Sequence, residues 1–102
     1  TFMSGASDLA RAYALIGKKA DAARILNKVW ADAKSYADYY LQLTGSRFMM
    51  SQNDVLRQLY IMQNIADMTQ ACDKNLADKR LKTVNALYAV YQAKGGTPYQ
   101  GE

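Results

Sequence analysis

The chain of 102 residues has no histidine, one cysteine, one proline and a single glutamate, the last residue. Without histidine, the commonest general base and metal ligand near neutral pH is missing. A lone cysteine, Cys72, rules out an internal disulfide. It follows Ile65 and Met68 in a helical pattern near a helix C-terminus, where the dipole disfavours a thiolate, so core packing accounts for it better than nucleophilic chemistry does. The one proline, Pro98, leaves every earlier segment free to form uninterrupted helix. Long apolar runs are absent too: nothing approaches the ~20 residues needed to span a bilayer. The opening Thr1-Phe2-Met3-Ser4-Gly5 lacks the charged and apolar regions of a signal peptide. Starting without an initiator Met so close to the first helical pattern, it reads as a piece of a longer protein.

Half of the residues are apolar, enough for one core in one domain. A domain of this size buries only roughly two-thirds of the surface of its unfolded chain. Ala, Leu, Lys, Gln and Arg dominate, while Val and Ile are few and never alternate with polar residues over a strand's length, so the expected class is all-α. Four helices are expected, over about 8–17, 19–43, 52–73 and 76–94, forming a single domain over 1–96 with a flexible tail at 97–102. Ser7 is the expected cap of the first helix, Asp8 suits its first turn, and Gly17 ends it in a left-handed residue. Leu9, Ala12, Tyr13 and Ile16 then share a face. On the second helix Ala22, Leu26, Val29, Ala33, Tyr36 or Ala37, and Tyr40 form one line, with Ala23, Trp30, Ala37 and Leu41 as a second. Thr44-Gly45-Ser46-Arg47 reads as a loop. Ser51-Gln52-Asn53-Asp54 reads as a near capping box, with Met50 stapled onto Val55. Val55, Leu59, Met62, Ala66 and Thr69 make the next stripe, with Leu56, Ile65, Met68 and Cys72 beside it. Asn75 is the expected cap of the last helix, whose inner face carries Leu76, Ala77, Leu81, Val84, Leu87, Tyr88 and Tyr91.

Two helices split by one glycine, with Leu9, Ala10, Tyr13, Ala22 and Leu26 as large, small, aromatic, small and large residues, resemble a tetratricopeptide repeat. Small residues let two helix axes approach, and large ones fill the grooves between them. The resemblance implies two antiparallel helical hairpins in a right-handed stack. The second helix departs from that pattern by overrunning the usual repeat without its terminal proline, and the second hairpin follows it loosely. A broader resemblance rests on Leu9-Ala10-Arg11-Ala12-Tyr13, Gly17-Lys18-Lys19, Tyr36-Ala37-Asp38-Tyr39-Tyr40-Leu41-Gln42-Leu43 and Leu59-Tyr60-Ile61-Met62-Gln63. In these segments the chain is similar to the C-terminal soluble region of a bacterial family of polytopic membrane proteins akin to protein O-mannosyltransferases. That resemblance implies a membrane-bound, glycosyltransferase-like parent, an extracytoplasmic location for this soluble part, and transferase residues that lie outside it.

Catalytic residues, cofactors and metals are not expected. The eight aspartates are scattered, and Asp21, Asp32 and Asp38 mostly point to different sides of the second helix, so local spacing sets up no carboxylate pair. The net charge of +4 comes with a weak basic cluster, Lys74, Lys79, Arg80 and Lys82. Other cations are spread over every segment without interleaved aromatics, which disfavours a nucleic-acid surface and leaves a solvated helical face or attraction to an anionic membrane. Among eight tyrosines, Tyr36 and Tyr40 are assigned to packing and Tyr39 to a partner contact. Phe48 and Met49 have no local explanation: they plug the end of the core or form an exposed patch, and both stand as candidate contacts. The expected function is a non-catalytic interaction or spacer module. Its candidate partners are the parent membrane domain, upstream repeats or a second copy; the alternative is a basic nucleic-acid-binding or homodimerisation module.

Overall fold

The backbone of residues 2–98 is described by a computed structural model, together with the side chains of 8–13 and 15–98. It is all-α, with no strand among the described residues and five helices: α1 (Phe2–Leu15), α2 (Lys19–Gln42), α3 (Gly45–Met50), α4 (Gln52–Thr69) and α5 (Lys74–Ala93). The extra element is α3, formed where a loop is expected from Thr44-Gly45-Ser46-Arg47.

Gly17 sets the first reversal. It has φ +86°, and the Lys18 N–H reaches back to the Tyr13 carbonyl at 2.8 Å, closing α1 in a Schellman motif. The same closure recurs at the end of α5, where the Gly96 and Gly95 N–H groups bond the carbonyls of Tyr91 and Gln92. Along α2 the buried residues Ala22, Leu26, Val29, Ala33, Ala37 and Leu41 recur every three or four positions, as the sequence pattern predicts. This face meets the buried line Val55, Leu59, Met62, Ile65 and Ala66 of α4. Leu26 and Val29 cluster with Ile65, whereas Ala37 and Leu41 cluster with Val55, so the two helices run antiparallel. Helix α1 packs on α2 and touches α4; α5 packs chiefly on α4, with Arg80 near Thr69 and Tyr91 near Gln52, and also reaches Asn27 and Trp30 of α2 through Arg80 and Phe48 of α3 through Tyr91. The result is an elongated body of 46 × 27 × 26 Å.

Several local expectations are corrected. Helix α1 already begins at Phe2, which puts Ser7 inside it rather than at its start; the Ser7 side chain lies outside the described residues. Ser51 does occupy the N-cap of α4, but no capping box forms: its hydroxyl donates to the Arg47 carbonyl at 2.8 Å, because its backbone continues the turn of α3. Met50 is 83 % exposed and does not staple onto Val55. Helix α4 ends at Thr69, so Cys72 sits in the following turn, half-buried against the core, its thiol directed at the Lys19 carbonyl at 3.8 Å. Asp73, not Asn75, caps α5, accepting the Leu76 N–H at 3.1 Å; a carboxylate at an N-cap also faces the positive helix end.

The expected tail at 97–102 starts too early. Thr97 is tied back onto the first turn of α4: Gln52 Oε1 accepts from the Thr97 N–H at 2.7 Å and from its hydroxyl at 2.9 Å. The fully buried Tyr91 donates to the Thr97 carbonyl at 2.5 Å. Residues 99–102 lie outside the described part. Gly96 packs flat on the Tyr91 ring, and a Cβ there would overlap three ring carbons. Because that ring is enclosed, Gly96→Ala is expected to destabilise by about 1–3 kcal/mol, the usual cost of overpacking, with urea unfolding as the measurement. A second test concerns pH. Burial raises the Tyr91 pKa above its ordinary value of 10.0, partly offset by the Thr97 hydrogen bond. The neutral phenol is thus favoured by folding, and its contribution is complete below pH 10.0 and is lost as pH rises through the raised value. Stability between neutral pH and pH 11 should therefore fall more steeply in the parent chain than in Tyr91→Phe; equal slopes would contradict this.

Candidate functional site

Helix α4 carries two faces. Val55, Leu59, Met62 and Ala66 point into the core. About a third of the way round, Leu56, Tyr60 and Gln63 recur at four and three residues and form an outer line. Across from it α5 offers Val84, Asn85 and Tyr88. Between them runs an open groove of about 850 Å³, with Leu56, Leu59, Val84 and Tyr88 as its apolar floor and Asn53, Arg57, Gln63 and Asn85 on its walls. Tyr60 stands on its edge and is largely exposed. The only charges there are local, Arg57 lying 3.7 Å from Asp54 one turn earlier. An apolar floor with amide walls can seat the side of a helix or an extended peptide.

The candidate contacts named from sequence fall elsewhere. Tyr39 is 59 % exposed on α2, its ring meeting that of Tyr40 edge-on at 5.4 Å. Met49 is half-exposed on α3, beside a shallow depression formed with Thr44, Gly45, Phe48 and Lys94. Phe48 is 2 % exposed: it plugs the core end, 5.9 Å from the Tyr91 ring, with the Lys94 ammonium over its face at 5.2 Å. Little of its surface is left for a partner. Tyr40 packs on the core as expected, but Tyr36 is exposed, the buried line passing through Ala37 instead.

Arg80 is the other correction. Grouped by sequence with a surface cluster, it is only 6 % exposed, while Lys74, Lys79 and Lys82 are at the surface. One guanidinium nitrogen donates to the Thr69 hydroxyl at 2.9 Å, another to Asn27 Oδ1 at 2.6 Å, and the group lies 5.1 Å from the centre of the Trp30 ring. The Thr69 hydroxyl in turn donates to the Ile65 carbonyl at 2.6 Å. Burial lowers the Arg80 pKa and the charge of Asp73 partly restores it; an arginine stays charged regardless. Among the described residues no carboxylate bonds the guanidinium. It joins α5 to α4 and α2 through neutral acceptors and a ring face, a structural role. Its signal was present in the sequence: Ala77, Arg80 and Val84 share the spacing of a core stripe.

Among the described residues no group of three or more Cys, Asp or Glu side chains could hold a metal ion. The aspartates of α2 are spoken for by bases one turn away: Asp21 with Arg24, Asp32 with Lys28 and Asp38 with Lys34, at 2.8–3.2 Å. No described helix is long and apolar enough to cross a membrane. No protein-family model matches the chain, nor does any curated protein or solved structure.

Truncating Arg80 separates packing from polarity. Arg80→Ala should cost about 2–4 kcal/mol, since it leaves a cavity beside Trp30 and strips Asn27 and Thr69 of their donor. Arg80→Met, which keeps most of the volume, should cost under half as much, as replacements of buried charges by apolar residues often do. Equal losses in chemical denaturation would instead assign the stability to the hydrogen bonds.

Proposed function

We propose that the chain is a non-catalytic helical interaction and spacer module, and that it forms the soluble C-terminal part of a membrane-bound, glycosyltransferase-like protein on the extracytoplasmic side. The observation that carries the first part is the α4–α5 groove, an apolar seat with amide walls that no described part of the chain fills. The packing order supports a stacked, tetratricopeptide-like reading: α1 against α2, α2 against α4, α4 against α5, and α1 touching α4. In such an arrangement each unit lays one helix into the groove of its neighbour. The second part rests on the sequence resemblance.

The basic nucleic-acid reading loses ground on charge. Arg80 is buried, and Arg24, Lys28, Lys34 and Arg57 each lie beside an aspartate of their own helix. Exposed pairs of this kind contribute little stability, yet they blunt the local positive field that phosphates require. A weak attraction to anionic headgroups through Lys74, Lys79 and Lys82 is compatible with a membrane-bound parent.

Two measurements test this reading. An antibody raised against the chain should detect, in fractionated source cells, a polypeptide that stays with membranes through alkaline carbonate washing; a product found wholly in the soluble fraction would sink the proposed parent. Fluorescence anisotropy with single- and double-stranded oligonucleotides should show no saturable binding at about 150 mM salt. Saturable binding there would favour the nucleic-acid alternative.

A further inference from the structure

The groove between α4 and α5 has a counterpart inside the molecule. Helix α4 itself is seated against α2 and α1, presenting an apolar line to the first hairpin. One hairpin further on, α4 and α5 offer the same kind of seat, and no described segment occupies it. At the opposite end of the body α1 has the converse property. Its inner side is closed by Ala10, which is buried with Leu26, Val29 and Ile65. Its outer side exposes Leu9 and Ala12, and Ile16, in the turn just past the end of α1 with its N–H on the Ala12 carbonyl, continues that line at 66 % exposure with Leu15 beside it.

We infer that the outer face of α1 docks into the α4–α5 groove of a second copy of this chain, so that copies associate head to tail. The argument for this occupant is that the chain carries both halves of the contact: an unfilled seat of the type that α4 fills, and a helix whose apolar line is unfilled on its outer side. Their lengths agree. Asn53 to Gln63 along the groove spans about 15 Å and Leu9 to Ile16 about 10 Å, at 1.5 Å per residue. Their chemistry agrees as well, since Leu9, Ala12 and Ile16 present only apolar atoms to a floor of Leu56, Val84 and Tyr88. Helices α1 and α4 run in the same direction, each antiparallel to α2, so an incoming α1 would lie along α4 as α4 lies along the α1 of its own copy. Such an interface joins two different surfaces, and it therefore propagates into a short chain of copies unless the rotation between them closes a ring. The inference rests on the reading of this groove as a contact surface, and it names the partner.

Sedimentation of the purified chain tests it. The weight-average mass should rise with concentration, passing that of a dimer by about 1 mM. Ile16→Asp on α1 and Tyr60→Glu at the groove change exposed side chains and should leave the helical circular dichroism intact; Leu9→Ser serves as a second α1 variant. Each alone should weaken association at least about tenfold. An equimolar mixture of Ile16→Asp and Tyr60→Glu should then form a one-to-one complex and nothing larger, because one intact groove and one intact α1 remain. A parent chain that stays monomeric throughout, a loss caused by only one of the two surfaces, or variants that fail to combine would overturn head-to-tail docking. Membrane fractionation of the full gene product stays independent of all three.

Discussion

The close approach of α2 and α4 is the constraint on which everything else depends. It is set by alanines: Ala33 and Ala37 of α2 are completely buried, and their small side chains let the facing helix come near enough for Val55, Leu59 and Met62 to fill the spaces between. With its inner line committed to this seam, α2 holds α1 on one side and α4 on the other, and α5 reaches the body chiefly through α4, with Arg80 touching α2 and Tyr91 touching α3. A larger residue at any of these alanines would push apart the two helices that every other element leans on. Trp30 and Ile61 pack against both core clusters and join what would otherwise be two separate apolar nuclei.

Within this apolar frame the one strongly polar element is Arg80, at the corner where α2, α4 and α5 meet. A buried guanidinium adds little net stability when its desolvation is set against its bonds. What it adds is register. Asn27, Thr69 and the Trp30 ring lie at fixed heights on their helices, and the fork can reach all of them in one alignment of α5 only. A similar division holds at the far end, where Gln52 gathers Thr97 and the hydroxyl of Tyr91 and fixes the exit of α5 against the entry of α4. The fifth helix packs its apolar side chiefly on α4, with Phe48 of α3 against Tyr91, and polar bonds at both of its ends set its position.

Helical periodicity carried most of the fold. The inner lines of α2 and α4 were readable because each residue's burial follows from a repeat of three or four, and Gly17 was readable because only the left-handed region permits that closure. Errors arose where two local solutions compete. Ser51 could cap α4 or bond back into α3, and the choice depends on whether Gly45 to Met50 coil into a helix, which tertiary contact of Phe48 with Tyr91 favours. Asp73 and Asn75 are both competent caps two residues apart. Arg80 carries both a surface residue's charge and a core residue's spacing with Ala77 and Val84, and the spacing prevails. The groove was beyond a reading of single helices: Leu56, Tyr60 and Gln63 make a line on α4, but its meaning comes from Val84 and Tyr88, more than twenty positions away on another helix.

Single exposed apolar residues are ordinary on protein surfaces. The two ends of this body differ from that background in being organised: one is a ridge at helical spacing, the other a groove between two helices. The polar walls of the groove and the charges flanking the α1 ridge, Asp8, Arg11 and Lys18, let both surfaces face water at small cost. Exposure of this kind is tolerable for one molecule in isolation. It also leaves each end free to be covered without first breaking any internal contact, which is the property a module needs if its role is to be joined to something else.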